Sequence, residues 1–223
     1  MNINDFLRDL DNLFRSNQID KVEPFMLQQM VVANQDHDTN STLVIMNELI
    51  GFYRSQERFD EAIRVSNQAL DLCKHEYILG SLPHATTLLN AATVYRFAGQ
   101  PEKAMELFKQ TESIYSTKLN ILDEHYAGLY NNMSAACSDL GQYDNAVDYL
   151  LRAAAIMDAL PTRVMESAIT HANLAALYAK TKNWHGANTH ITTACDLLRG
   201  RPEAARQYEE FSNMQKLFQT MLQ

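Results

Sequence analysis

Four times along this chain an alanine stands at the same distance from an aligned position, and this spacing constrains the fold more than any other feature. With Tyr53, Tyr95, Cys137 and Tyr178 as the aligned positions, the separations are 42, 42 and 41 residues. Nine residues beyond each comes Ala62, Ala104, Ala146 or Ala187, and seven further on comes Ala69, Thr111, Ala153 or Ala194. Small side chains at fixed points are what two helices need to pack within roughly 8–10 Å of each other. Leu49, Leu88, Phe108, Tyr130, Leu150, Leu174 and Ile191 supply the bulk between them. Within one copy, Leu88, Ala91, Ala92 and Tyr95 take i, i+3, i+4, i+7 spacing, and Ala104, Leu107, Phe108 and Thr111 take it again. Each copy is therefore a helical hairpin. Gly99 ends the first helix of that copy, and Pro101 opens the second, where its missing N–H would be unpaired anyway. Asp60 and Asp144 are placed to N-cap the second helices of their copies.

The pattern resembles the tetratricopeptide repeat, whose usual period is about 34 residues. The longer period here narrows the likeness. Leu79-Gly80, then Pro83-His84, then Ala85, Leu88 and Asn90 resemble the linkers of kinesin light chains and their bacterial relatives. The resemblance spans residues 43 to about 199. Lys182 replaces the turn glycine of the last copy, and Ile50 stands where a small residue is usual.

The expected fold is all-α, a right-handed α-solenoid of hairpins with about eleven helices. Residues 1–40 read as a degenerate leading hairpin, in which Phe14-Arg15-Ser16 echoes Tyr53-Arg54-Ser55. Residues 41–199 hold four repeats, at 43–75, 85–117, 127–158 and 168–199, and 200–223 form a closing helix. That helix carries Tyr208, Phe211, Met214, Leu217, Phe218 and Met221 on one side.

The charge balance narrows the partners. A net charge of -8 without a basic stripe argues against nucleic acid and against anionic membrane surfaces. The start of the chain is acidic where a signal peptide is basic, and no apolar run reaches the ~20 residues of a membrane span. Cys73, Cys137 and Cys195 lie on apolar helix faces and read as core thiols of a reducing compartment, so the expected location is cytoplasmic. No catalytic constellation assembles. His75-Glu76 begins a zincin-like string, but Leu79 stands where a second histidine would bind metal. His185 and His190, five apart, point in different directions on a helix. The chain is thus expected to be no enzyme, with neither cofactor nor metal.

Five residues before the aligned positions stand Glu48, Asn90, Asn132 and Asn173. Asparagine is a mediocre helix former, so its recurrence in mid-helix asks for a reason. An amide has donors and an acceptor that match peptide backbone, and the resemblance implies backbone contacts for Asn90, Asn132 and Asn173. Bonds to neighbouring helices are the other reading. Arg54 and Arg96, each one residue after an aligned tyrosine, are suited to a carboxylate, with Lys180 extending the basic character. Thr93, Asn131, Ala135 and Ala176 keep the wall low, and Phe97 offers an apolar contact. The expectation is a scaffold or adaptor that takes an extended protein or peptide segment in a concave groove. The alternatives are a self-association module acting as a homodimer, and a sensor subunit working with a separate effector.

Overall fold

The computed structural model describes residues 2–222. Among these, all regular structure is helical, as eleven α-helices and one short 3-10 turn at Pro202–Ala204. The chain divides into two compact units, Met1–Lys118 and Leu119–Gln223.

The first unit contains α1 (Ile3–Arg15), α2 (Ile19–Gln35), α3 (Thr39–Ser55), α4 (Phe59–His75), α5 (Leu82–Phe97) and α6 (Pro101–Lys118). Each helix packs on the next, and α3 also packs along α5. The alanines at the narrow points, Ala62, Ala69 and Ala104, are fully buried beside Leu49, Leu88 and Phe108. Filling any of them would push helices apart in a close-packed interior. Tyr53 ties three helices together: its hydroxyl donates to Glu23 of α2 at 2.8 Å, and Arg58 lies over its ring while binding the same carboxylate.

The second unit contains α7 (Glu124–Asp139), α8 (Tyr143–Asp158), α9 (Val164–Lys180), α10 (Trp184–Leu198) and α11 (Ala205–Thr220). Here α7 to α11 pack in sequence. The last helix buries Phe211 and Phe218 against α10, with Phe218 beside Trp184, and leaves Leu217 and Met221 exposed.

Each hairpin turns in the same way. Asn17, Glu57, Gly99, Gly141 and Lys182 take positive φ, between 55° and 75°. The next residue in each case donates its N–H five residues back, to Leu13, Tyr53, Tyr95, Cys137 and Tyr178. This is the Schellman arrangement, which satisfies helix-end carbonyls. It corrects two sequence readings. The leading hairpin aligns through Leu13 and not Phe14, because the turn geometry counts from Leu13. Asp60 and Asp144 are not N-caps: α4 and α8 begin after Arg58 and Gln142, so these acids lie inside the first turn, where they favour the positive helix end.

Candidate functional site

In the first unit, α3 and α5 meet at a pair of asparagines. Asn47 Nδ2 donates to the Leu43 carbonyl at 3.0 Å and to the Thr87 hydroxyl at 3.1 Å. A carbonyl only accepts, so the Asn47 nitrogen must face it and the Asn47 oxygen must face the other way. That oxygen accepts from Asn90 Nδ2 at 2.9 Å. Both Asn47 N–H groups are thereby used, and the orientation of Asn90 is set. Asn90 keeps one N–H and its carbonyl oxygen for something else. Asn47 and Asn90 line a recess of about 560 Å³ with Glu48, Val44, Leu82 and Pro83. Burial alone raises the Glu48 carboxyl from its ordinary value.

The second unit repeats this arrangement bond for bond. Asn131 Nδ2 donates to the Ala127 carbonyl at 2.9 Å and to Thr170 at 3.2 Å, and Asn173 Nδ2 donates to Asn131 Oδ1 at 3.1 Å. Thr87 and Thr170 are both buried, each with its hydroxyl on a carbonyl of its own helix. Asn131 and Asn173 line a recess with Ala135, Ser138, Ala176 and Lys180.

Seven residues on, nearly two turns along the same helix faces, the same helices meet again. In the first unit Arg54 follows Asn47 and Phe97 follows Asn90; the Arg54 guanidinium carbon is 5.7 Å from the Phe97 ring centre, and that of Arg96 is 4.2 Å from it. In the second, Ser138 follows Asn131 and Lys180 follows Asn173; Lys180 Nζ donates to Ser138 at 3.1 Å and lies over the Tyr143 ring.

The candidate residues thus fall into groups. Glu48 joins Asn90; Arg54, Arg96 and Phe97 come together; Asn131, Asn173 and Lys180 come together. Asn132 stands apart, its amide on the Gly128 carbonyl of its own helix. Thr93 is buried with its hydroxyl on the Leu89 carbonyl and forms no wall. Asn47, which sequence reasoning passed over, is the support for Asn90. Its signal was the distance of 84 residues to Asn131.

A second polar cluster was also missed. Asp158 of α8 accepts from Ser167 at 2.6 Å and faces His171 Nε2 at 3.3 Å; His171 Nδ1 lies 3.0 Å from His190 Nδ1. The imidazole centres are 5.2 Å apart at 20°, which is the 3.0 Å contact plus a ring radius on either side. The rings therefore meet edge to edge through one proton, and their lone pairs do not converge on a shared metal. The carboxylate fixes the proton on His171 Nε2, so His171 Nδ1 accepts from His190. Tyr178 lies parallel to His190 at 5.6 Å. Burial, then the charge of His171, lower the His190 imidazole from its ordinary value, with Asp158 opposing.

Residues 41–117 and 127–156 match two models of the tetratricopeptide repeat. The chain thus carries tetratricopeptide repeats in both of its units. Among solved structures, BtubC (BKLC) from P. vanneervenii shares its fold with a TM-score of 0.74 at 20% identity, over 84% of this chain and 76% of that one. The nearly identical TPR-like repeats of a Podosopora anserina kinesin light chain candidate give a TM-score of 0.70 at 17% identity, over 92% of this chain and 96% of that one. A singly substituted form of the latter gives 0.73 at 16% identity, with the same coverage of both chains. No curated protein matches the chain by sequence. Tetratricopeptide repeats of this kind imply a scaffold for protein–protein interaction.

Proposed function

We propose that this tetratricopeptide-repeat chain is a non-enzymatic, cytoplasmic scaffold that holds an extended polypeptide segment against the first helices of its hairpins. The observation that carries the reading is the paired amide. Asn90 and Asn173 each offer one donor and one acceptor in an orientation set by Asn47 and Asn131. Such a pair complements the N–H and C=O of one peptide unit, and a group held in place beforehand loses less entropy on binding. Lys180 and Phe97 flank these amides, and Asn132 takes a lesser part. The three cysteines are buried as thiols, which supports a reducing compartment.

The test uses a peptide selected from a random-sequence library displayed against the wild-type chain. Asn90→Ala and Asn173→Ala should each weaken it roughly tenfold or more, since each removes about two bonds of ~0.5–1.5 kcal/mol net. Asn132→Ala should cost less than either. Unchanged affinity in both of the first two variants would remove the amides from the function. A second reading, self-association, rests on exposed Leu217 of α11 and on exposed Met221 just beyond its end. Sedimentation of the wild type beside Leu217→Glu separates it from the first.

A further inference from the structure

The amide pairs treat any backbone alike, so they do not choose a partner. Beside the first pair stands a group that can. Glu48 lines the recess of about 560 Å³ with Asn90, and no other ionisable residue does so. Much of the wall around it is apolar, formed by Leu43, Val44, Leu82 and Pro83. Among the described residues its carboxyl has neither an ion pair nor a hydrogen bond, and burial is the one influence on its proton affinity. A carboxylate half out of water without a counter-ion costs free energy in the empty protein. A cation brought to it removes that cost and adds a charge-assisted bond. The Asn90 carbonyl oxygen stands uncommitted in the same recess, and its two lone pairs leave room for a donor from a side chain besides one from a backbone. Lysine and arginine only donate, and both carry a methylene stem that lies well on an apolar wall.

We propose that this recess is a subsite for a cationic side chain of the bound segment, lysine or arginine, with its charged head on Glu48 and the Asn90 oxygen and its stem along Leu82 and Pro83. That the cation belongs to a polypeptide rests on the scaffold reading above; the cation subsite does not. The corresponding recess of the second unit makes no such demand. It is lined by Asn131 and Asn173 with Glu124, Glu166 and Arg163, and there both carboxylates lie against the Arg163 guanidinium. The residue in the place of Glu48 is Asn132, which is neutral and bonded to its own helix. Selectivity for a basic residue is therefore a property of the first unit.

The experiment titrates the full, isotope-labelled chain with n-pentylammonium, which copies a lysine side chain, and with pentanol, its neutral counterpart. The side-chain amide signals of Asn47 and Asn90 report binding by NMR. The ammonium should bind about fivefold tighter or more at neutral pH and low salt. The gap should close as pH falls and Glu48 takes up its proton, and it should vanish in Glu48→Gln. The chain has 27 acidic residues, so a loss that follows from changing one of them locates the cation. Glu48→Gln keeps the shape of the side chain, and thermal unfolding confirms that it is folded. Peptides selected from the random-sequence library should hold lysine or arginine at one fixed place. Norleucine there should weaken binding roughly tenfold to the wild type and little to Glu48→Gln. Equal binding of amine and alcohol, or a gap that survives Glu48→Gln, overturns the proposal and leaves the amide reading to its own test. A gap lost with Glu48, beside selected peptides without a basic residue or no selected peptide at all, overturns the choice of a polypeptide side chain in favour of a free amine. Peptides that need Glu48 but are unmoved by Asn90→Ala uphold the cation subsite and sink the amide reading.

Discussion

The two units carry the same amide pair in different electrostatic settings. Asn47 and Asn90 in one, Asn131 and Asn173 in the other, share each donor, each acceptor and even the buried threonine behind them. Around the pairs almost nothing else is kept. Glu48 of the first corresponds to Asn132 of the second, and Arg54 to Ser138. Repetition preserves what orients the amide, and the variable positions beside it set the charge that a ligand meets. The ionisable groups beside them differ as well: Glu48, a half-buried carboxylate, adjoins the first pair, and the buried cluster of the second unit holds the half-buried imidazole of His190.

The sharpest attempt to break the likeness is to remove the support. Asn47→Ala or Asn131→Ala leaves an amide and a buried threonine hydroxyl short of a partner, which should cost about 1–3 kcal/mol in either unit. Urea unfolding of both variants measures this. A large cost in one and none in the other would mean that the pairs are alike in geometry only.

A smaller effect should sharpen the contrast, through opposite dependence on pH. The Glu48 pKa is higher folded than unfolded. The contribution of Glu48 is then greatest below the unfolded value and is lost as pH rises through the folded one. Glu48→Gln should therefore stabilise the protein at neutral pH and do little near pH 4. The His190 pKa is lower folded than unfolded. Its contribution is complete above the ordinary histidine value and is lost as pH falls below it, because the unfolded chain takes up the proton more readily. His190→Gln should flatten that acid limb. Guanidinium unfolding across pH 4–8 reads both slopes, and parallel slopes would undo the contrast.

The smallest expected effect lies in the turns. Glu57 and Lys182 take the left-handed conformation that Gly99 and Gly141 take without strain. Glu57→Gly and Lys182→Gly should each gain up to about 1 kcal/mol in thermal unfolding, less what glycine loses in chain entropy.

The fold was legible because close helix packing writes itself into spacing: Ala62, Ala104, Ala146 and Ala187 could be found by counting. The site was legible only in part. Alignment at a single register grouped Asn90, Asn132 and Asn173, whereas neighbouring helices meet at staggered positions, so that Asn47 pairs with Asn90 and Asn131 with Asn173. The letters Phe14-Arg15-Ser16 matched Tyr53-Arg54-Ser55 by composition, while the backbone bond that defines the turn starts at Leu13. His171 and His190 meet from two helices, 19 residues apart, at a contact that periodicity along either helix does not encode.

The hairpin turns have one further consequence, for where the chain can be lengthened. All five have the same backbone bond and the same three-residue length, although their left-handed residue is Asn, Glu, Gly or Lys. The joins between hairpins within each unit vary in length, 36–38 having three residues, 76–81 six and 159–163 five, although the first two open with the same bond, from Asp38 to Ala33 and from Ile78 to Cys73. A turn closed by its own main chain leaves no room for an extra residue, whereas the joins already vary. Loops, tags or a grafted binding segment therefore belong at 79–81, beyond the bond of Ile78, or at 159–163, and the same insertion at 98–100 would shift Phe108 and every contact of α6 out of place.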